Sequence, residues 1–393
     1  MFDLQQIQQA LADQNVSGWL LYDFRGSNVL ARRVLGLSEK EVSSRRFFYF
    51  IPQTGEPIKL VHRIESGVLD HLPGDKKVYL AWQELEQHLE AILSNVDQVA
   101  MEYAPLASNP YVARVDAGTI ELIRRYVLDV ISSGDLIQMF EASWSEEEWQ
   151  LHLEAEKHTT AAFDLAWDFI HSVAKSGEHV EEQEVSDLIM DHFAKNGMTT
   201  YHPPIVAVNE NSGNPHYETG QGTQTLIGKD SFVLLDLWAK MDKPKGVYSD
   251  LTRVAYVGPT APQQYNDVFK IVAAARDKAI SEIKAHCKAG KPVQGWQVDR
   301  WTRDVINEAG YGEYFIHRTG HSIGQETHGN GANMDDLETH EERHLLPGTC
   351  FSIEPGIYLP EFGIRSEVNV YIDHDNNVHV TGGPVQTEVA TLG

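Results

Sequence analysis

The chain has 393 residues, 42% apolar and 9% aromatic, and its 32 basic and 57 acidic side chains leave a formal charge of −25. Such a length predicts two domains rather than one core, and such acidity argues against nucleic acid or an anionic membrane as a partner. The two cysteines, Cys287 and Cys350, lie outside any CxxC pair, which excludes a disulfide framework and fits a reducing, cytoplasmic setting.

The opening residues, MFDLQQIQQALADQN, place Phe2, Leu4, Ile7 and Leu11 at helical spacing. They have neither the basic nor the apolar region of a signal peptide, so an amphipathic helix is expected over 1–15. Strands are expected at 18–24, 46–52, 57–63, 77–82 and 99–105, and helices at 82–93 and 117–131. This alternation describes an α/β domain, placed at 1–142. Ser145 and Glu148 form a capping-box pattern at the head of a long helix over 143–177, which opens a second domain, 143–393. A helix over 181–196, strands and turns over 201–258, helices over 261–290 and 293–310 closed by Gly290 and Gly310, and a strand-rich remainder make that domain α+β. No run of about 20 apolar residues is present to cross a membrane.

In the second domain, charged residues interrupt apolar strands. SFVLLDLWAKMDKPKGVYSDLTRVAYVG (231–258) has two β-prone runs around a Pro- and Gly-bearing turn, the pattern of a hairpin. A turn centred on Lys243 sets Asp236 opposite Asp250, with Cβ atoms ~5 Å apart. Two ionised carboxylates so close repel, and Asp236 inside FVLLDLW is costly to bury without a partner. A divalent metal answers both problems. A salt bridge to Arg253, or a register that separates the two Asp, is the alternative. In GTCFSIEPGIYLPEFGIRSEVNVYID (348–373), a second hairpin with its turn at PEFG lets Glu354 face Glu367, and Pro355-Gly356 offers a bulge to fix the register. The alternatives here are a Glu paired with Arg365 on one strand face, or a Glu in solvent.

HRTGHSIGQETHG (317–329) holds His317, His321 and His328 among glycines that disfavour a helix. On a strand His317 and His321 share a face, and a turn through Gly324 is needed to bring His328 to them. PPIVAVNENSGNPHYETG (203–220) runs a short strand into a loop bearing His216, a common place for catalytic groups. Four carboxylates and one imidazole balance two divalent ions in charge, and oxygen donors with one nitrogen suit Mn²⁺, Co²⁺, Fe²⁺ or Zn²⁺. Two such ions ~3.5–4 Å apart hold a bridging hydroxide and polarise a carbonyl.

Asp236, Asp250 within YSDLTR, His321 within TGHSIG, Glu354 within SIEPGIY and Glu367 within GIRSEV match, in order and local sequence, the ligand motifs of the pita-bread metallopeptidases. The chain therefore resembles the superfamily of methionine aminopeptidase, Xaa-Pro aminopeptidase, prolidase (Xaa-Pro dipeptidase) and creatinase. The first domain resembles, more loosely, the creatinase-type N-terminal domain, which sets the chain nearer prolidase and Xaa-Pro aminopeptidase. The resemblance implies an α+β pita-bread catalytic domain behind a smaller α/β domain. It implies a dinuclear hydrolase of Xaa-Pro bonds in dipeptides or short peptides, with two divalent ions, Mn²⁺ before Co²⁺, Zn²⁺ or Fe²⁺. In that reading Asp236 holds one ion, Asp250 and Glu367 bridge both, and His321 and Glu354 complete the second, Glu354 also moving a proton. His216 and His328 contact substrate and stabilise the oxyanion, His317 lines the pocket, and Arg365 orients the carboxylates. A homodimer is implied as well, with the first domain of one subunit edging its partner's site.

Two departures bear on substrate. Trp238 stands two positions after Asp236, where the family usually has a small residue, and the Asp236–Asp250 interval is longer than usual in the prolidase branch, the excess falling in the hairpin turn. A same-fold hydrolase of a non-peptide C–N bond in an amino-acid-derived amide is thus the alternative. A binding module without chemistry is a further one, opposed by the five filled ligand positions.

Overall fold

The computed structural model describes residues 2–38 and 43–393. The chain divides into two compact units, Met1–Glu141 and Ala142–Gly393.

The strand Gly18–Asp23 is buried at all six residues because its sheet is covered on both faces. Trp19 and Leu21, with Phe47, Tyr49 and Ile51, meet Ile7 and Leu11 of the helix Leu4–Asp13 and Leu30 of the helix Val29–Val34. The alternate residues Leu20, Tyr22, Phe48 and Phe50 meet Leu85 and Leu89 of the helix Trp82–Leu93 and Ile120 of the helix Ala117–Ile123. This two-residue alternation is the strand period. The sheet runs Asp75–Tyr79, Ile58–His62, Phe47–Pro52, Gly18–Asp23, Gln98–Met101, Asp129–Ser132. Its Gly18–Asp23/Phe47–Pro52 and Phe47–Pro52/Ile58–His62 pairs are antiparallel and the others parallel.

Three expectations are corrected here. The first helix covers Leu4–Asp13, with residue 1 outside the described residues. The helix expected over 117–131 stops at Ile123, and Asp129–Ser132 becomes a strand parallel to Gln98–Met101; β-branched Val130 and Ile131 fit a sheet better than a helix. The strand expected to reach residue 105 ends at Met101. Glu102 beyond it is fully buried and accepts hydrogen bonds from Trp19 Nε1 at 2.7 Å, Asn28 Nδ2 at 2.7 Å and Ser133 Oγ at 3.0 Å.

In the second unit the capping box forms as read: Ser145 Oγ accepts from the Glu148 N–H, and the Glu148 carboxylate accepts from the Ser145 N–H at 2.8 Å, starting the helix Glu146–Lys175. The central hairpin, Phe232–Met241 with Tyr248–Tyr256, presents Val233, Leu235, Leu237, Leu251 and Ala255 to Phe163 and Ala166 of that helix and Ile189 of the helix Glu182–Lys195. On the opposite face Phe232, Leu234, Val254 and Tyr256 pack against Val268, Phe269 and Val272 of the helix Gln263–Lys288. A second sheet, Ser322–Ile323, Cys350–Ile353, Val368–Ile372 and Val378–Thr381, packs against the helices Gln263–Lys288 and Gly295–Glu308 through Ile283, Val298, Phe351 and Val370. Helices outside and two larger sheets within, with two short two-stranded ladders beside them, give the expected α+β class.

Candidate metal centre

Towards the turn, the even-numbered face of the central hairpin stops being apolar. Asp236 and Trp238 follow Leu234 on one strand, and Thr252 and Asp250 follow Val254 on the other, all on one face. The register differs from the expected one: Asp236 faces Thr252, and Asp250 faces Trp238. The cause is the turn. Lys245 takes a positive φ of 65°, and the Gly246 N–H closes on the Lys243 carbonyl at 2.9 Å, so the turn centres one residue later than Lys243. A shift of two residues in pairing keeps both Asp on the same face, where a shift of one would have split them. Arg253, the alternative partner, lies on the other face, with its guanidinium over the Phe163 ring at 4.8 Å.

The second hairpin aligns its carboxylates. Ile353 pairs with Val368 and Gly356 with Arg365, so continuing either ladder sets Glu354 opposite Glu367. Two residues separate the ladders on each strand, and the bulge expected at Pro355-Gly356 is absent. Arg365 does not pair with Glu367 either. Its Nη2 donates to Asp236 Oδ2, its Nε to Thr252 Oγ1 at 2.9 Å and its Nη1 to Tyr358 OH at 3.2 Å, with Glu354 Oε2 4.0 Å away.

The two hairpins and the 317–329 segment bring the five expected ligands together. Asp250, His321 and Glu367, all buried, each offer a ligand atom, and these lie within 4.8 Å of one another. His321 Nε2 is 3.5 Å from Asp250 Oδ2 and 3.4 Å from Glu354 Oε1. Its Nδ1 lies 3.2 Å from the Ser322 carbonyl. Read as the donor there, Nδ1 carries the proton and Nε2 keeps its lone pair for the carboxylate side. The Thr252 hydroxyl lies 2.9 Å from Asp236 Oδ1 and 2.8 Å from Glu367 Oε2, with one proton to give.

These residues fit divalent cations. Four carboxylates gather around the Arg365 guanidinium in a buried cluster, and the charge of Arg318 reaches Glu354 as well. Burial, joined by repulsion from Glu354, lifts Asp250 well above the usual carboxylate range. Burial, then Asp250, Glu354 and Asp236, does the same to Glu367. Asp236 is raised to about 6 by burial against the pull of Arg365. Glu354 goes the other way: burial pushes it up, but His321, His317, Arg365 and Arg318 together outweigh it. A group that resists ionisation for want of positive charge is one that metal ions stabilise.

The other expected residues gather around this group. No strand joins His317 to His321; His317 sits in a bend, with Nδ1 2.6 Å from the Arg318 carbonyl and Nε2 2.7 Å from Tyr358 OH. Burial holds its pKa down to about 4. The chain does turn beyond Gly324, where the Gly329 N–H returns to the Ser322 carbonyl at 2.8 Å, and His328 packs edge-on to His321 with ring centroids 4.3 Å apart. Its surface is exposed, but desolvation of the ring beside the cluster, then His321 and Arg318, push His328 down to about 3, and His216 contributes to that shift. His216 is exposed on the loop after the strand Ile205–Val208. Sequence reasoning missed Thr252, Tyr358 and Asn369, whose side chain brackets the Asp250 backbone by accepting from its N–H at 3.1 Å and donating to its carbonyl. For Thr252 a signal existed: it stands two residues from Asp250, hence on the same strand face.

Residues 150–374 match the profile of metallopeptidase family M24. An uncharacterized peptidase of Staphylococcus haemolyticus is 28% identical over 338 residues, covering 83% of this chain and 89% of that protein. A Xaa-Pro dipeptidase of Lactobacillus delbrueckii subsp. lactis is 37% identical over 177 residues, 44% of this chain and 43% of that protein. Among solved structures, dipeptidase PepE from Mycobacterium ulcerans superposes with a TM-score of 0.66 at 21% identity, covering 99% of this chain and 96% of that one, a likeness of fold.

Proposed function

The chain belongs to metallopeptidase family M24 and is a metallopeptidase, and from that premise we propose a dinuclear hydrolase that cleaves Xaa-Pro bonds in dipeptides and short peptides. The observation that carries the dinuclear reading is the excess of buried carboxylates over cations, with Asp250, His321 and Glu367 offering ligand atoms within 4.8 Å. The ions would be held by Asp236, Asp250, His321, Glu354 and Glu367. Bound there, two divalent ions, Mn²⁺ in first place, supply a polarised scissile carbonyl and a water acidic enough to attack it.

The chain's own groups do the rest. Glu354, the one carboxylate of the four whose pKa is lowered, takes the proton from the attacking water and returns it to the leaving nitrogen. His328, kept neutral, donates an N–H to the developing oxyanion, assisted by His216 from its loop. Arg365 fixes Asp236 and Thr252 by its planar fork, and Tyr358 ties that guanidinium to His317. His317 thereby becomes an oriented, uncharged wall of the pocket. The protein acts in the cytoplasm as a homodimer, with the creatinase-type domain at 1–142 edging the partner's site. Support for the Xaa-Pro preference comes from the similarity to the Lactobacillus Xaa-Pro dipeptidase.

The test is hydrolysis of Ala-Pro, Gly-Pro, a longer Xaa-Pro-Xaa peptide and a proline-free control by metal-free protein reloaded with Mn²⁺. Metal-dependent cleavage confined to the Pro peptides supports the proposal, and the longer peptide separates dipeptidase from aminopeptidase. Two bound metals with no cleavage of any peptide would contradict it and favour a non-peptide amide as substrate.

A further inference from the structure

Beside the carboxylates stands a donor that the chemistry above does not use. Trp238 is two residues past Asp236 on its strand and opposite Asp250 on the next, so its indole shares their face. The side chain is 9% exposed, and its Nε1–H is buried with no acceptor among the described residues. Buried donors are nearly always paired, and an unpaired one destabilises the fold. The ring is stacked with His202 at 5.9 Å and 20°, and Tyr201 lies 5.9 Å away on the same wall. Tyr201 stands edge-on to Tyr248 at 6.3 Å and is 65% exposed, so the wall reaches solvent. Burial and then the charge of Asp250 push the Tyr201 phenol up, with Asp236 adding to it, as expected of a ring close to the carboxylate group.

We propose that Trp238, walled by Tyr201 and His202, determines specificity: its ring packs the substrate side chain flanking the cleaved bond, and its N–H donates to a neutral oxygen on that side chain. The class this selects is a peptide with an amide side chain, Asn or Gln, beside the scissile bond. A basic side chain has no acceptor for the N–H. An acidic one finds Lys240 of the same strand already engaged: it donates to the Gln325 carbonyl at 2.5 Å and lies over the Tyr248 ring at 5.1 Å. A Leu or Met side chain fills the space but leaves the N–H unpaired, and a site built around a hydrogen bond discriminates strongly against the analogue that lacks it. The inference rests on the peptidase reading above.

The test compares Gln-Pro with the near-isosteric Met-Pro on Mn²⁺-loaded wild type, Trp238→Phe and Tyr201→Ala. Wild type is expected to favour Gln-Pro about tenfold in kcat/KM, carried by KM. Trp238→Phe keeps a ring without the N–H, and the ratio should fall to about one. Tyr201→Ala, at an exposed ring, should raise KM for both peptides and keep the ratio. A wild-type ratio near one, or a ratio unchanged in Trp238→Phe, would overturn the proposal. Calorimetric binding of free glutamine and methionine to the same proteins separates this inference from the reading beneath it. If neither dipeptide is cleaved, the Xaa-Pro reading fails, while a glutamine preference lost in Trp238→Phe still upholds the subsite and equal binding of both amino acids rejects it.

Discussion

Each unit of the molecule takes carboxylates out of water, and the two do so differently. In the first, Glu102 is wholly buried, and burial lifts its pKa, but Trp19, Asn28 and Ser133 all donate to it and pull the other way. Three neutral donors for two oxygens make a settled polar network that calls for no ion. In the second, Asp236, Asp250, Glu354 and Glu367 surround the Arg365 guanidinium, with the charge of Arg318 reaching Glu354, and two of them share one hydroxyl proton. Burial is common to both regions, so burial alone does not mark a functional carboxylate. The excess of negative charge over available donors separates the two regions, and the proposed cation site in the second rests on that excess.

This contrast can be broken by substitution. Asp250→Ala should have the largest effect, removing a proposed ligand and lowering kcat/KM by about 10³-fold or more, with metal content falling and the circular dichroism spectrum retained; full activity would sink the assignment. His328→Ala should lower kcat by about 10²-fold while elemental analysis still finds both metals, and loss of metal would move His328 into the ligand set.

Two further predictions concern stability. His152 is fully buried and neutral, with Nδ1 2.9 Å from the Tyr248 carbonyl and Nε2 accepting from Thr381 Oγ1 at 2.7 Å, and burial lowers its pKa from 6.5 to about 4. The unfolded chain takes up this proton near pH 6.5 and the folded chain only near pH 4. The stabilisation is therefore complete above pH 6.5 and is lost as pH falls through that window, by about 3 kcal/mol in all. Urea midpoints measured from pH 7 to 4 should decline for wild type and flatten in His152→Gln. Glu102→Gln should have the smallest effect. It swaps an acceptor for a donor among three donors and should cost about 1–3 kcal/mol with metal content and kcat unchanged. A change in metal content there would erase the distinction between the two regions.

The clustered carboxylates were legible because each interrupts an apolar strand, where an unpaired charge is costly, and because even spacing puts a strand's residues on one face. Glu354 and Glu367 were correctly set opposite each other, since their hairpin carries no extra residue on either strand. The Asp236–Asp250 pairing was misread because register depends on the turn, and the φ of Lys245 is not written in local hydrophobicity. Thr252 and Tyr358 escaped notice because hydroxyl-bearing residues are ordinary in strands, and only the folded geometry shows Arg365 reaching both. The helix overextended to residue 131 shows the same weakness at element ends, where a short β-branched run inside a helical pattern gains more from pairing with the strand Gln98–Met101.

Metal stoichiometry tests the central claim most directly. Protein stripped of metal, reloaded with Mn²⁺, freed of excess ion and measured by elemental analysis should hold two ions per chain, with binding lost in Asp250→Ala. A wild-type protein that retains none would show that the buried carboxylates are neutralised by protons instead, and would contradict the dinuclear account.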